Sequence, residues 1–149
     1  MKKLVHILMA FRQYLKQYHW LAKGYENHLL AERLDEEMSE SLDDSIDRLT
    51  ELALAVDIDD SIAKAEYSLI DAKRVLDNIL SPDELESRET SVVLSNIAKF
   101  VHAYLTEAEA TSKGYEGTVV KGGIDNAIFS ISEDMIRRLY LLGIQTQEK

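Results

Sequence analysis

A single proline, Pro82, stands in a chain of 149 residues that holds only six glycines. These are the residues that stop helices and build tight turns. A chain this poor in both is suited to long uninterrupted helices and ill supplied for a turn-rich β protein. The apolar residues fall into the matching rhythm. Leu4, Leu8, Phe11, Leu15 and Ala22 recur at steps of three, four and seven, which predicts helix 1 over about residues 2–23, closed by Gly24. Helix 2 is expected from about Tyr25 to Val56, with Ala31, Leu34, Met38, Leu42, Leu49, Leu52 and Val56 along one face. Its other face is dense in acid: Glu32, Glu36, Glu40, Asp43, Asp44, Asp47 and Glu51.

The cluster Asp57-Ile58-Asp59-Asp60 reads as a break, with Asp59 or Asp60 capping a segment that runs to about Leu80 through Ile62, Leu69, Leu76 and Ile79. Ser81-Pro82-Asp83-Glu84 is the clearest punctuation, with Pro82 in a first helical turn. Helix 3 uses Val93, Ile97, Val101, Tyr104 and Ala108. A loop from Ser112 to Gly123 gathers four of the six glycines. Helix 4, about Ile124–Ile144, uses Ile124, Ile128, Ile131, Met135, Leu139 and Leu142. The expectation is an all-α protein, a four-helix bundle forming one domain over residues 1–149. The long connection 57–84 permits the crossover of ferritin-like bundles, in which helices 2 and 3 run parallel.

Composition narrows the functions. With 17 Lys and Arg against 27 Asp and Glu, the net charge is −10. Direct DNA binding is therefore not expected, because phosphate neutralisation by basic groups supplies most of that affinity. The short basic start, Lys2-Lys3, and the nearly neutral end, Gln145 to Lys149, offer no basic arm. No run approaches the ~20 apolar residues that span a bilayer, and Arg12, Gln13, Lys16 and Gln17 interrupt the opening before it could act as a signal peptide. A cytoplasmic location is expected. With no cysteine, any metal site must use nitrogen and oxygen ligands.

Among the four histidines, His6 and His102 have no acid at ligand spacing and read as structural or surface residues. His19 follows Leu15 and Phe11 on the core side of helix 1, where a histidine is more often a packing residue than a ligand. His28 opens helix 2 with Glu32 and Asp35 at i+4 and i+7, on one edge. Imidazole with carboxylate suits iron, manganese or zinc; the competing reading is that these acids answer the helix dipole and solvate the surface. A di-iron centre inside the bundle is not expected. No Glu-x-x-His occurs, and the core row of helix 3 is apolar or aromatic.

Tyr18-His19-Trp20-x-x-Lys23-Gly24, followed by an acidic helix with Leu34-Asp35-Glu36, resembles the start of the Dps proteins, miniature ferritins of bacteria that protect DNA and oxidise iron. The resemblance covers about residues 8–52, and the Tyr25 and His28 spacing is also similar to short Dps-like proteins of phages and bacteria. It implies a homo-oligomer in which iron binds between two-fold related subunits, with ligands from helices 1 and 2 only. His19 matches the helix 1 histidine. An ungapped comparison puts Asp35 on the helix 2 aspartate and Ala31 where the family has a second histidine. It puts Ile46 and Thr50 where the partner subunit's acids belong, with Asp47 and Glu51 one residue off. A three-residue gap instead sets His28, Glu32, Asp43 and Asp47 on those four positions. Both registers stand at this point, so the expected ligands for iron are His19, His28, Glu32, Asp35 and Asp47. The expected function is ferrous iron oxidation and storage in a homo-oligomeric shell, with a dimer interface along helices 1 and 2. The alternative is a metal-free ferritin-like structural or interaction protein, and a weaker one is a partner-binding module using the crossover.

Overall fold

The computed structural model describes residues 1–56 and 71–147. These residues form α1 (Lys2–Leu21), α2 (Tyr25–Leu34), a π-helical turn (Asp35–Ser39), α3 (Glu40–Val56), α4 (Ala72–Ile79), α5 (Pro82–Glu86), α6 (Thr90–Gly114) and α7 (Lys121–Gln147), with no strand among the described residues. Asp59 and Asp60 as caps, and Ile62 and Leu69 as apolar anchors, lie outside them. No described helix is long and apolar enough to cross a membrane.

Side-chain pairs give the direction of each long helix. Tyr18 reaches Asn27 and Arg12 reaches Asp43, so α1 runs antiparallel to α2 and α3. Lys3 pairs with Glu107, Phe11 stacks on Phe100 and Asn96 bonds Tyr14, so α1 is also antiparallel to α6. Ser112 meets Asp125 and Tyr104 meets Ile128, making α6 and α7 antiparallel. Ser41 meets Asp134 and Glu37 meets Arg138, making α3 and α7 antiparallel. α1 packs on α3 and α6, and α7 packs on the same two. The four form a ring in which α3 and α6 run parallel, joined by the long connection that carries α4 and α5.

The ring closes because each helix turns an apolar stripe inward. Leu4, Leu8, Phe11, Tyr14, Leu15 and Tyr18 of α1 are buried against Val93, Ile97, Phe100, Val101 and Tyr104 of α6 and Ile124, Ile128, Ile131 and Met135 of α7. The Phe11 and Phe100 rings stack with centroids 5.0 Å apart and planes 10° apart, and Tyr14 lies 5.4 Å from Phe100. Full burial of each such ring contributes about 1.5–3 kcal/mol. Tyr104 donates to the Ile128 carbonyl at 2.9 Å, and burial pushes its phenol well above the usual range. Asn96 is fully buried; its Nδ2 donates to Tyr14 Oη at 2.9 Å and to the Glu84 carbonyl at 2.7 Å, fastening α5 and α1 to α6.

Helix ends follow local chemistry. Ser81 and Glu84 make a reciprocal capping box with Pro82 in the first turn. α1 stops at Leu21, two residues short of its expected end, because the chain must reverse at Gly24. That residue has φ 84° and ψ 158°, a conformation essentially confined to glycine. The glycine-rich loop is shorter than its composition suggests. α6 continues to Gly114 and α7 begins at Lys121, since Gly122 and Gly123 fall in a first turn fastened by Lys121 Nζ on the Ser112 carbonyl at 3.0 Å.

Two outcomes follow. Asn96→Ala should destabilise the fold by about 2 kcal/mol in urea titration, since it strands the Tyr14 hydroxyl and the Glu84 carbonyl. Asp134 is partly desolvated, which opposes ionisation, yet hydrogen bonds from Ser41, Arg138 and Arg137 outweigh this and hold its carboxyl below the usual value. A lowered folded value means its stabilisation is present above the ordinary Asp range and fades as pH falls through the lowered one. Asp134→Asn should therefore lower stability at neutral pH and flatten its loss on acidification, measured as Tm against pH.

Candidate functional site

The π-helical turn decides which side chains of the second long segment share a face. A π-turn adds one residue to the helix circuit. At about 100° per residue, Asp43 and Asp47 would lie roughly 80° and 120° around a regular α-helix from Asp35. One inserted residue brings both to within about 20° of it. By the same count His28 lies about 20° away and Glu32 about 60°. The turn thus aligns His28, Glu32, Asp35, Asp43 and Asp47 along one edge. Contact geometry agrees: Arg12 of α1 reaches both Asp35 and Asp43, with Nη1 to Oδ1 at 3.9 Å and Nε to Oδ1 at 3.0 Å.

α1 brings His19 to the same edge. Its Nδ1 stands 4.0 Å from Asp35 Oδ2, and its ring centroid is 6.4 Å from that of His28. His28 Nε2 pairs with Glu32 Oε1 at 3.1 Å. Asp35 Oδ1 also accepts from Ser39 Oγ at 2.7 Å across the π-turn. His19 Nδ1 and Arg12 Nη1 are buried, make no hydrogen bond among the described residues, and both face Asp35. His19 is half-buried rather than a core residue, while His28, Glu32, Asp35 and Asp47 are exposed.

Four of the five residues expected from sequence, His19, His28, Glu32 and Asp35, therefore lie along one edge that runs from the end of α1 down α2 to the first residue of the π-turn. Asp47 lies on the same edge about three turns beyond Asp35, and among the described residues no hydrogen bond or ion pair joins it to the other four. Among the described residues, no group of three or more His, Asp or Glu side chains is close enough to hold an ion within this chain. Arg12 was not singled out by sequence. Its place opposite Asp35 and Asp43 depends on the approach of α1 to α3, for which one arginine amid lysines and glutamines gives no signal.

Around this edge the chain exposes large apolar side chains. Trp20 is 67% and Tyr25 78% exposed, with Leu21 and Leu29 beside them in sequence. Tyr18 Oη and Asn27 Nδ2 hold the turn between them, the latter by donating to the Lys23 carbonyl at 3.0 Å. Across the helix, a separate cleft of about 580 Å³ between the π-turn, α3 and α7 is lined by Glu36, Glu37, Glu40, Asp44 and Asp134. Arg48 and Arg138 offset part of that charge.

No known protein family, no curated protein and no solved structure matches this chain.

Arg12 is a resident cation for Asp35 and Asp43. Arg12→Gln should leave stability within about 1 kcal/mol, the range of a partly solvated ion pair.

Proposed function

We propose that this chain is a ferritin-like protein of the Dps kind, a homo-oligomer that takes up ferrous iron at a His and carboxylate site completed across a subunit interface. The observation that carries the reading is the coincidence, on one edge, of His19, His28, Glu32 and Asp35 with the exposed Trp20, Leu21, Tyr25 and Leu29. Exposed aromatic groups of this size mark surfaces that other protein covers. A site that is open within one chain and rimmed by such groups is suited to ligands from two.

The ring order supports the same reading, since one long connection between parallel second and third helices is the ferritin-like arrangement. The π-turn bears on ligand register. The ungapped comparison with the Dps proteins leaves Asp47 and Glu51 one residue beyond the places of the partner's acids, and a π-turn adds one residue before them. In this register Asp47 and Glu51 serve the partner subunit, and His19 and Asp35 serve their own. Imidazole nitrogen and carboxylate oxygen hold Fe²⁺ while leaving positions open for an oxidant. Two ferrous ions then give one electron each to peroxide, which takes up two protons and leaves as water. Acid on both sides of the second segment favours cation entry.

A second reading is a metal-free scaffold of the same fold, favoured by Arg12, whose guanidinium already neutralises Asp35 and Asp43. The two separate in one set of measurements. Light scattering of the untagged protein should give a large closed oligomer, and absorbance after Fe²⁺ addition should rise faster than in buffer, more so with peroxide. His19→Ala with His28→Ala should cut that rate to the blank while leaving the oligomer intact, and Trp20→Glu should dissociate it. A large oligomer without oxidation supports the scaffold; a monomer without oxidation removes both.

A further inference from the structure

At the opposite end of α1, about 20 Å from His19 along the helix, α4 lies across α1 and α6 without filling the space between them. Only Leu76 and the following Leu80 are driven into the core there. The remainder is a cleft of about 890 Å³. Its floor is Ile7, Val75, Ile79 and Ala103, contributed by all three helices. Its rim is of another kind: Lys2, His6, Arg74 and His102. Sequence gave His6 and His102 no shared role, being 96 residues apart. The antiparallel pairing of α1 with α6, set by Lys3 on Glu107 and Phe11 on Phe100, brings both to one cavity.

The charge here departs from that of the chain. Two carboxylates line the cleft, and each is already engaged. Glu107 pairs with Lys3 at 3.3 Å, and Asp71 accepts the Arg74 backbone N–H at 3.2 Å as the cap of α4. The Arg74 guanidinium, by contrast, makes no hydrogen bond or ion pair among the described residues and stands exposed at the rim. On a surface of net charge −10, a cleft with more basic than acidic groups selects for anions. A predominantly apolar floor with a few polar groups at its edge is the usual make-up of a small-molecule site. Inorganic phosphate would satisfy the rim and leave the floor unused. A straight-chain carboxylate satisfies both.

We propose that this cleft binds an aliphatic monocarboxylate of medium chain length, with its hydrocarbon on Ile7, Val75 and Ile79 and its carboxylate on Arg74 and His102. The site is independent of the metal edge, and its occupancy does not depend on iron. The probe is decanoate, kept below its micelle concentration and titrated calorimetrically into the full chain, with decylammonium and inorganic phosphate as parallel arms. The expected result is saturable binding of one decanoate per chain, weakened tenfold or more by Arg74→Glu and by Val75→Asp. Decylammonium and phosphate should show no saturable binding. Circular dichroism of both variants establishes that they fold; Arg74 is exposed, so Arg74→Glu reads charge rather than packing. Absence of saturable decanoate binding overturns the proposal. So does binding that Arg74→Glu leaves unchanged, or decylammonium binding as tightly, since the cleft would then be an apolar surface without a carboxylate seat. Phosphate binding in place of decanoate overturns it equally.

Discussion

Apolar residues at Leu30, Leu34, Met38 and Leu42 step by four along the second long segment, and each such step drifts about 40° around a regular α-helix. From Leu30 to Ala53 the drift would reach roughly 140°, turning the last buried residues away from the core. The π-turn at Asp35–Ser39 takes up one residue and returns the stripe to within about 40°. The burial of Leu42, Leu49 and Ala53 therefore depends on it. So does the alignment of the acids, because the same rotation that keeps the apolar face inward sets Asp35, Asp43 and Asp47 on one edge. Core and candidate site are two consequences of one local widening of the helix.

α1 converts that alignment into a site. It packs on α3, α4 and α6, and the stacked Phe11 and Phe100 fix its depth. With that depth fixed, the Arg12 guanidinium and the His19 imidazole meet the acid edge two turns apart. Both approach Asp35. A guanidinium at 3.9 Å and an imidazole at 4.0 Å flank the same carboxylate without bonding it. This is a balance that the approach of a metal ion or of a second subunit would shift.

Much of this was legible in the sequence. The all-helical class, the four long segments and most of the core followed from period and from the scarcity of proline and glycine, because burial and capping act locally. The Ser81 capping box was legible for the same reason. The π-turn was not, since four-residue steps at Leu34, Met38 and Leu42 also suit one face of an ordinary helix over a short span. The Gly122-Gly123 pair has the composition of a loop yet begins a helix, where tertiary fastening by Lys121 and Asp125 overrides weak local propensity. At the site, His28 and Glu32 were legible as i and i+4 neighbours. Their meeting with His19 required the Gly24 reversal, and Arg12 required the packing of α1 on α3. Contacts between segments distant in sequence leave no periodic trace.

The central claim is that the His and carboxylate edge holds metal between two copies of this chain. Anomalous diffraction from crystals soaked in Zn²⁺ tests it most directly. The account predicts an anomalous peak on a two-fold axis or close to one, coordinated by His19 and Asp35 of one subunit and by acids of α3 from its partner. Metal bound within a single chain, or no metal at that edge in a crystal where Trp20 and Tyr25 face solvent, would contradict it.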